Sequence, residues 1–324
     1  MAAAVALQGL PLRPDRAPAG SRDGRPGVAG LDRRVRDAVP TGVASGTDVA
    51  AASDAVWVLN RSQPGDAVLV RVDPATDRVV ARIAVGPAAV RVAAGDGAVW
   101  VLRSSPNGSD LVQVDPASNR VAKTVPLGRA TGPATASGQH LLVAGGAVWV
   151  MDQAGFLRVD PGSGQVKTVM GPDRYGPLSG LAVAAGSVWA VAGVVVQQVR
   201  PGDGTIGWED APEGLGSMIP SGLAAGAGAL WVVGGGFMAR FDPGTRRVAA
   251  TFRVGHGAGT GADLVAGDAR TVVALGDNVL YLIDPAANRV RAEVRLPSAG
   301  AVVVGAGAIW VTDQANGRLL RVEG

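Results

Sequence analysis

Eight polar side chains recur at two fixed offsets from a repeated tryptophan, and their types suit recognition of a charged, hydroxylated ligand. Nine residues ahead of the tryptophan position stand Asp48, Arg91, His140 and Asp263; three residues behind it stand Asn60, Arg103, Asp152 and Asp313. Arginine offers paired N–H donors to an anion, and aspartate and asparagine oxygens accept hydrogen bonds. His140 could act as a general base or a metal ligand, and it is the single candidate for catalysis. Asp48, Asp152, Asp263 and Asp313 could together gather a hard cation such as Mg²⁺ or Ca²⁺. No consecutive loop spacing supports such a cation, so no metal site and no cofactor are assigned.

Several chemistries are excluded outright. The chain has no Cys, which removes disulfides, thiolate zinc sites and a thiol nucleophile. It carries no G-x-S-x-G elbow, no H-E-x-x-H pair and no P-loop. The Gly-rich run GHGAGTGAD (255–263) leads into a strand pattern rather than a helix N-terminus, so it reads as a connecting loop. The formal net charge is +3, with Lys only at Lys123 and Lys167, an arginine bias expected of a GC-rich bacterial genome. Basic residues are spread out rather than gathered with exposed aromatics, so nucleic acid is not an expected partner. No apolar run is long enough to span a bilayer as a helix.

What positions the eight residues is a repeat. The stretch Gly95 to Gly128, GDGAVWVLRSSPNGSDLVQVDPASNRVAKTVPLG, recurs in degraded form through the chain. Its tryptophan reappears as Trp57, Trp100, Trp149, Trp189, Trp231 and Trp310, with Val272 taken as a seventh, degenerate copy, at spacings of 38 to 49 residues. A period near forty marks a repeat architecture. Within one unit, AVRVAA, AVWVL, LVQV and RVAKTVP are short β-branched runs separated by Gly, Asp, Pro and Asn, which reads as four strands and three turns. Nowhere after residue 33 do apolar residues hold helical spacing for three turns.

Seven units of four antiparallel strands predict a β-propeller, an all-β fold. The second run of each unit is apolar on both faces, as required of strands covered by neighbouring blades. The fourth runs alternate and carry Arg78, Arg82, Lys123, Arg291 and Arg295, as suits an outer edge protected by charge. The last unit lacks its fourth run, and RVRDAVP (34–40) near the start resembles RVRAEV (289–294). The N-terminal strand is therefore expected to complete the last blade, giving one domain over 33–324. Residues 1–32 stand outside the repeat as a disordered lead-in or the remnant of an export segment, because MAAAVALQGLPL is apolar but has no basic residue before Arg13. Export is favoured, with a cytoplasmic location the alternative.

The pattern AVWV–loop–L.rVDPa..rV...V.vG resembles the YVTN-repeat, YncE-like seven-bladed propellers, which are in turn similar to streptogramin lyases of the virginiamycin B type. The resemblance covers the chain after about residue 33. Toward the lyases it implies a divalent cation and a His/Glu pair at the central face that opens an ester ring by elimination. His140 matches that place, but the four glutamates, Glu209, Glu213, Glu293 and Glu323, fall at neither offset.

In a propeller, the first-to-second and third-to-fourth strand turns share one face. Those turns are stereotyped here (GDG, DPxxxR), and the Asp-Pro pairs at Asp73, Asp115, Asp160, Asp242 and Asp284 read as turn formers. The opposite face bears the variable loops and is the candidate working face. On it, polar residues occupy blades one to three at both offsets, while blades four and five are blank. This is either a polar crescent built for a ligand or ordinary strand-end polarity. Arg174 and Tyr175 could overhang the same face, and Trp208, off the repeat ruler, could be a ligand platform or a blade cover. The expectation is a monomeric, non-enzymatic propeller binding a small polar molecule, glycan, peptide or partner protein; the alternative is a metal-assisted lyase or lactonase.

Overall fold

The structure is a computed structural model that describes residues 32–42, 46–61, 65–105, 107–128, 139–152, 155–171, 178–216, 218–255 and 264–324. His256, Asp263, Arg174 and Tyr175 lie outside the described residues, as does all but the last residue of the 1–32 lead-in.

The described residues form 28 strands in seven four-stranded antiparallel sheets. Strand β1 (Val35–Pro40) belongs to the last sheet. Blade one is β2 (Gly46–Ala51), β3 (Val56–Asn60), β4 (Ala67–Asp73) and β5 (Arg78–Gly86); blade two is β6 (Ala89–Gly95), β7 (Ala98–Ser105), β8 (Gly108–Asp115) and β9 (Arg120–Gly128). Blade three is β10 (His140–Ala144), β11 (Ala147–Asp152), β12 (Gly155–Val159) and β13 (Val166–Met170). Blade four is β14 (Leu178–Ala184), β15 (Ser187–Ala192), β16 (Val195–Val199) and β17 (Ile206–Asp210). Blade five is β18 (Gly222–Gly226), β19 (Ala229–Gly234), β20 (Phe237–Asp242) and β21 (Arg247–Arg253). Blade six is β22 (Leu264–Gly267), β23 (Val272–Gly276), β24 (Val279–Asp284) and β25 (Arg289–Arg295). Blade seven is β26 (Ala299–Gly305), β27 (Ala308–Asp313), β28 (Arg318–Val322) and, from the other end of the chain, β1. Innermost strands contact one another in sequence, β2 to β6 and onward, and β26 returns to β2, so the ring closes.

Closure follows the expected route. Strand β1 pairs with β28, Ala38 opposite Leu320 and Pro40 opposite Arg318. Val35 and Ala38 face the core between blades six and seven, and Val39 faces the core between blades seven and one.

Each repeat tryptophan fills the joint to the next blade, and all six are no more than 1% exposed. Trp57 packs on Val99 and Val101, Trp100 on Val148 and Val150, Trp149 on Val188 and Ala190, and Trp189 on Leu230 and Val232. Loss of one such ring to Ala costs about 3–5 kcal/mol in a packed core. Blade six departs from the sequence reading. Gly276 pairs with Val279 around a two-residue turn, as Gly234 pairs with Phe237 in blade five. Counting back from that turn puts Val273, not Val272, in the tryptophan position. The position shifts because the first hairpin of blade six has a four-residue turn, closing Gly267 on Val272, where blade five closes Gly226 on Ala229 around two residues.

The stereotyped turns serve the fold. Asp73 accepts the backbone N–H of Ala75 and the Thr76 hydroxyl, and Asp115, Asp160 and Asp242 repeat the motif with Ala117, Ser163 and Thr245. These bonds hold the four carboxyls below the usual range.

Candidate functional site

The first set of candidate residues lies on the innermost strands at the variable-loop end. Asp48 pairs with Leu59, Arg91 with Leu102, His140 with Met151, Gly180 with Val191 and Gly222 with Val233, each two residues past the tryptophan position. These are equivalent sites on blades one to five. On blade six the corresponding pair is Leu264 with Leu275, so an exposed leucine holds the register position that sequence spacing gave to its undescribed neighbour, Asp263.

Asp48, Arg91 and His140 form a continuous row, each reaching the backbone of the next blade. Asp48 Oδ2 accepts the Val92 N–H at 2.8 Å. Arg91 donates from Nε to the Gln139 carbonyl at 2.7 Å and from Nη1 to the Val90 carbonyl at 3.0 Å. The His140 ring donates to the Leu178 carbonyl. The three side chains are half-buried. Gln139, 2% exposed, presents a buried Oε1 with no hydrogen-bond partner among the described residues.

Crowding in the row perturbs its ionisation. Burial pushes the Asp48 carboxyl up, opposed by the Arg91 charge and by the N–H groups of Val92 and Val49. Burial and then the Arg91 charge push His140 down to about 3, while its bond to Leu178 opposes them. His140 is therefore neutral at pH 7, with one ring nitrogen donating and the other able to accept. A base this weak is poorly matched to proton abstraction near neutrality.

Opposite the row the wall is closed by backbone. A Cβ on Gly180 would lie 2.6 Å from the Cβ and backbone N of Leu223, so glycine there is a packing requirement between blades four and five. Likewise, a Cβ on Gly234 would meet the Ile219 carbonyl oxygen. The bare sector is wider than the sequence offsets indicated, since blade six contributes Leu264 and Gly276.

Three members of the second set are turned to other partners. Asn60 is buried at the end of β3 and its Nδ2 points to the Thr41 carbonyl at 3.4 Å. Arg103 is gripped by Asp110, its cross-strand neighbour, with Nε–Oδ1 at 2.6 Å and Nη2–Oδ2 at 2.7 Å. That bond keeps Arg103 charged and neutralises it locally. Asp313 is buried, accepting Arg318 Nη2 at 2.6 Å and Asn316 Nδ2 at 2.9 Å across the β27–β28 turn. Asp152 is buried at the end of β11. The turn chemistry of TDQANGR, an acid followed by Asn and Arg, could have disclosed Asp313's structural role. Gln139 was missed, and no repeat signal marks it.

Trp208 covers a blade edge. It lies half-buried on β17 with its centroid 6.1 Å from Trp189 and 6.2 Å from Phe241, and Arg246 of blade five sits 5.4 Å above it. Among the described residues, no three His, Asp or Glu side chains gather as metal ligands, and no helix is long and apolar enough to cross a membrane.

No family model matches the chain, and no curated protein matches it. Solved structures do resemble it. The Cps50 (Swd1) β-propeller domain of Myceliophteria thermophila superposes with a TM-score of 0.68 at 12% identity, over 90% of this chain and 99% of that one. The WD40 β-propeller domain of Doa1 does so with a TM-score of 0.62 at 13% identity, over 90% and 93%. At such identities the likeness is one of fold, a seven-bladed β-propeller.

Proposed function

We propose that this chain is a non-enzymatic binding propeller whose variable-loop face holds a small polar ligand over Asp48, Arg91 and His140. The observation that carries this reading is the one-sided row itself. Three polar side chains stand on adjacent innermost strands, beside the buried acceptor Gln139 Oε1 and facing a sector built from Gly180, Gly222 and Leu264. A ligand with a carboxylate next to hydroxyls, such as an acidic sugar, fits that chemistry. The carboxylate sits near Arg91, and hydroxyls bridge to Asp48 and to the accepting nitrogen of His140. Asn60, Arg103, Asp152 and Asp313 shape the loops around this row. Binding of this kind needs no metal and no cofactor.

On the repeat pattern, the same proposal keeps the chain with the YVTN-repeat, YncE-like propellers, acting as a monomer outside the bacterial cytoplasm. The lyase alternative would ask His140 to be a base, and its low basicity speaks against that role.

The test is a thermal-shift screen of the full chain against acidic sugars, their neutral counterparts and simple dicarboxylates. At least one acidic sugar should raise the melting temperature, and Arg91→Gln should weaken that effect tenfold or more. Absence of any shift, or a shift indifferent to Arg91→Gln and Asp48→Asn, overturns the reading. A turnover of cyclic esters that needs Mg²⁺ and is lost in His140→Ala would replace it with the lyase.

A further inference from the structure

Six of the seven blade joints are tied on the stereotyped-turn face. Arg71 donates to the Pro116 carbonyl at 2.6 Å, Arg158 to Pro201 at 3.0 Å, Arg240 to Pro285 at 3.0 Å and Arg321 to Pro74 at 2.9 Å. Lys123 reaches the Pro161 and Gly162 carbonyls, and Arg246 stacks on Trp208. The joint between blades six and seven has neither half of this device. Leu282 stands where Arg71 and Arg240 stand in their repeats, and Glu323-Gly324 stands where the others have Asp-Pro or Arg-Pro. At this edge β28 pairs with β1 rather than with a fourth strand of its own repeat. The core of this joint also lacks a tryptophan, with Val273 in its place.

A cleft of about 570 Å³ opens there, within the size range of small-molecule sites. Its floor is apolar, with Ile283 and Ile309 buried and Val304 and Ala308 half-buried. Its rim carries Arg270 and Arg291, both exposed and without an ion-pair or hydrogen-bond partner for their guanidinium groups among the described residues. The acids beside them are already engaged. Asp268 accepts the N–H groups of Arg270 and Thr271, and Asp284 accepts those of Ala286 and Ala287 and lies 3.9 Å from Arg289. The lining thus balances two arginines with two aspartates, but the aspartates are turned to backbone N–H groups while both guanidinium groups keep free donors above a hydrophobic floor.

We propose that this cleft is a second binding site, for a small molecule with an anionic head and an apolar body. The head, a carboxylate, sulfonate or phosphate, lies between Arg270 and Arg291, which suit it through bidentate donors. The body covers Ile283, Val304 and Ile309. The chain's own first 31 residues make a poor occupant, since they hold four arginines against two aspartates.

The probe is 8-anilinonaphthalene-1-sulfonate, which combines a sulfonate with an apolar body, titrated into the full chain by fluorescence. One saturable site is expected, weakened tenfold or more in Arg270→Gln/Arg291→Gln and weakened in wild type as salt rises. N-phenyl-1-naphthylamine, the uncharged analogue, should be insensitive to the double substitution. Arg91→Gln should leave the titration unchanged, which separates this site from the one on the variable-loop face. Unaltered affinity in the double variant, or no saturable site in wild type, overturns the proposal. Both arginines are exposed, and an unchanged melting temperature in the double variant confirms that the fold is intact.

Discussion

Arg71 lies with its guanidinium carbon 5.3 Å above the Trp57 ring while Nη1 donates to the Pro116 carbonyl of the next blade at 2.6 Å. One side chain thus covers the tryptophan within its own blade and ties that blade to its neighbour. The relationship follows from register, because Arg71 is the cross-strand partner of Trp57. It recurs for Arg158 on Trp149, Arg240 on Trp231 and Arg321 on Trp310.

Replacing one of these arginines should therefore destabilise the ring through two losses. Arg321→Gln removes the stacking on Trp310 and leaves the Pro74 carbonyl and the Asp77 carboxylate without their donor. A cost of about 1–3 kcal/mol is expected, read from the urea unfolding midpoint. Lysine should recover less than half, since a point charge replaces a planar fork. An unchanged midpoint in Arg321→Gln would show that the tie contributes nothing.

The fold was legible in the chain because every blade repeats the same physical problem. Trp57 and its copies must fill a joint between sheets, and Asp73 and its copies must start a turn, so residue type and spacing report strand and turn directly. Even the closing strand could be read, since a missing fourth run at one end matched an orphan run at the other. The site was less legible. Asn60, Arg103 and Asp313 share one offset from the tryptophan position, but local pairs such as Arg103 with Asp110 turn them to structural use, and a linear offset cannot see a partner. Blade six slipped because its first hairpin has a longer turn, a local change that shifts every position counted through it.

Glycine at the bare sector should be less replaceable than glycine in the hairpin turns. Gly180→Ala forces a Cβ to within 2.6 Å of Leu223, in contact with its backbone, and a loss of about 1–3 kcal/mol is expected from overpacking. Gly186, at φ +70° with open space around it, should lose only about 1 kcal/mol as alanine. Equal costs in the two variants, measured by denaturant unfolding, would mean that blades four and five can part without penalty.

Acid should weaken the protein before its carboxylates titrate. The His140 pKa is about 3 in the fold against an ordinary 6.5, so below pH 6.5 the unfolded chain takes up a proton that the folded chain refuses. Stability is full above pH 6.5 and falls toward pH 3 by at most about 1.4 kcal/mol per pH unit, reduced by water at a half-buried ring. Asp48, whose pKa is raised, acts in the opposite sense, since the folded chain protonates it first as pH falls. The lowered turn aspartates give up stability only below the ordinary carboxylate range. Chemical denaturation from pH 7 to pH 4.5 should show this slope in wild type and a flatter one in His140→Asn. Parallel slopes would remove His140 as the cause.

The closing strand gives the sharpest test of the ring. Strand β1 covers the outer edge of β28, and Thr41 carries the chain onward with N–H and hydroxyl bonds to the Gly317 carbonyl. Val35 and Val39 enter different joints, one on each side of blade seven, so a single short strand helps to seal both. Burial of the two valines alone is worth about 3–6 kcal/mol, and their loss would also bare a long unpaired edge that invites association. A chain lacking residues 1–40 should unfold at lower urea with a less cooperative transition and form oligomers in light scattering. A synthetic peptide covering Arg34–Pro40, added in excess, should restore both properties with a concentration dependence that reports its affinity for the open edge, whereas a peptide with Val35 and Val39 replaced by Asp should not. If the truncated chain stays monomeric and as stable as the full one, β28 needs no cover and the ring is held shut by the innermost strands alone.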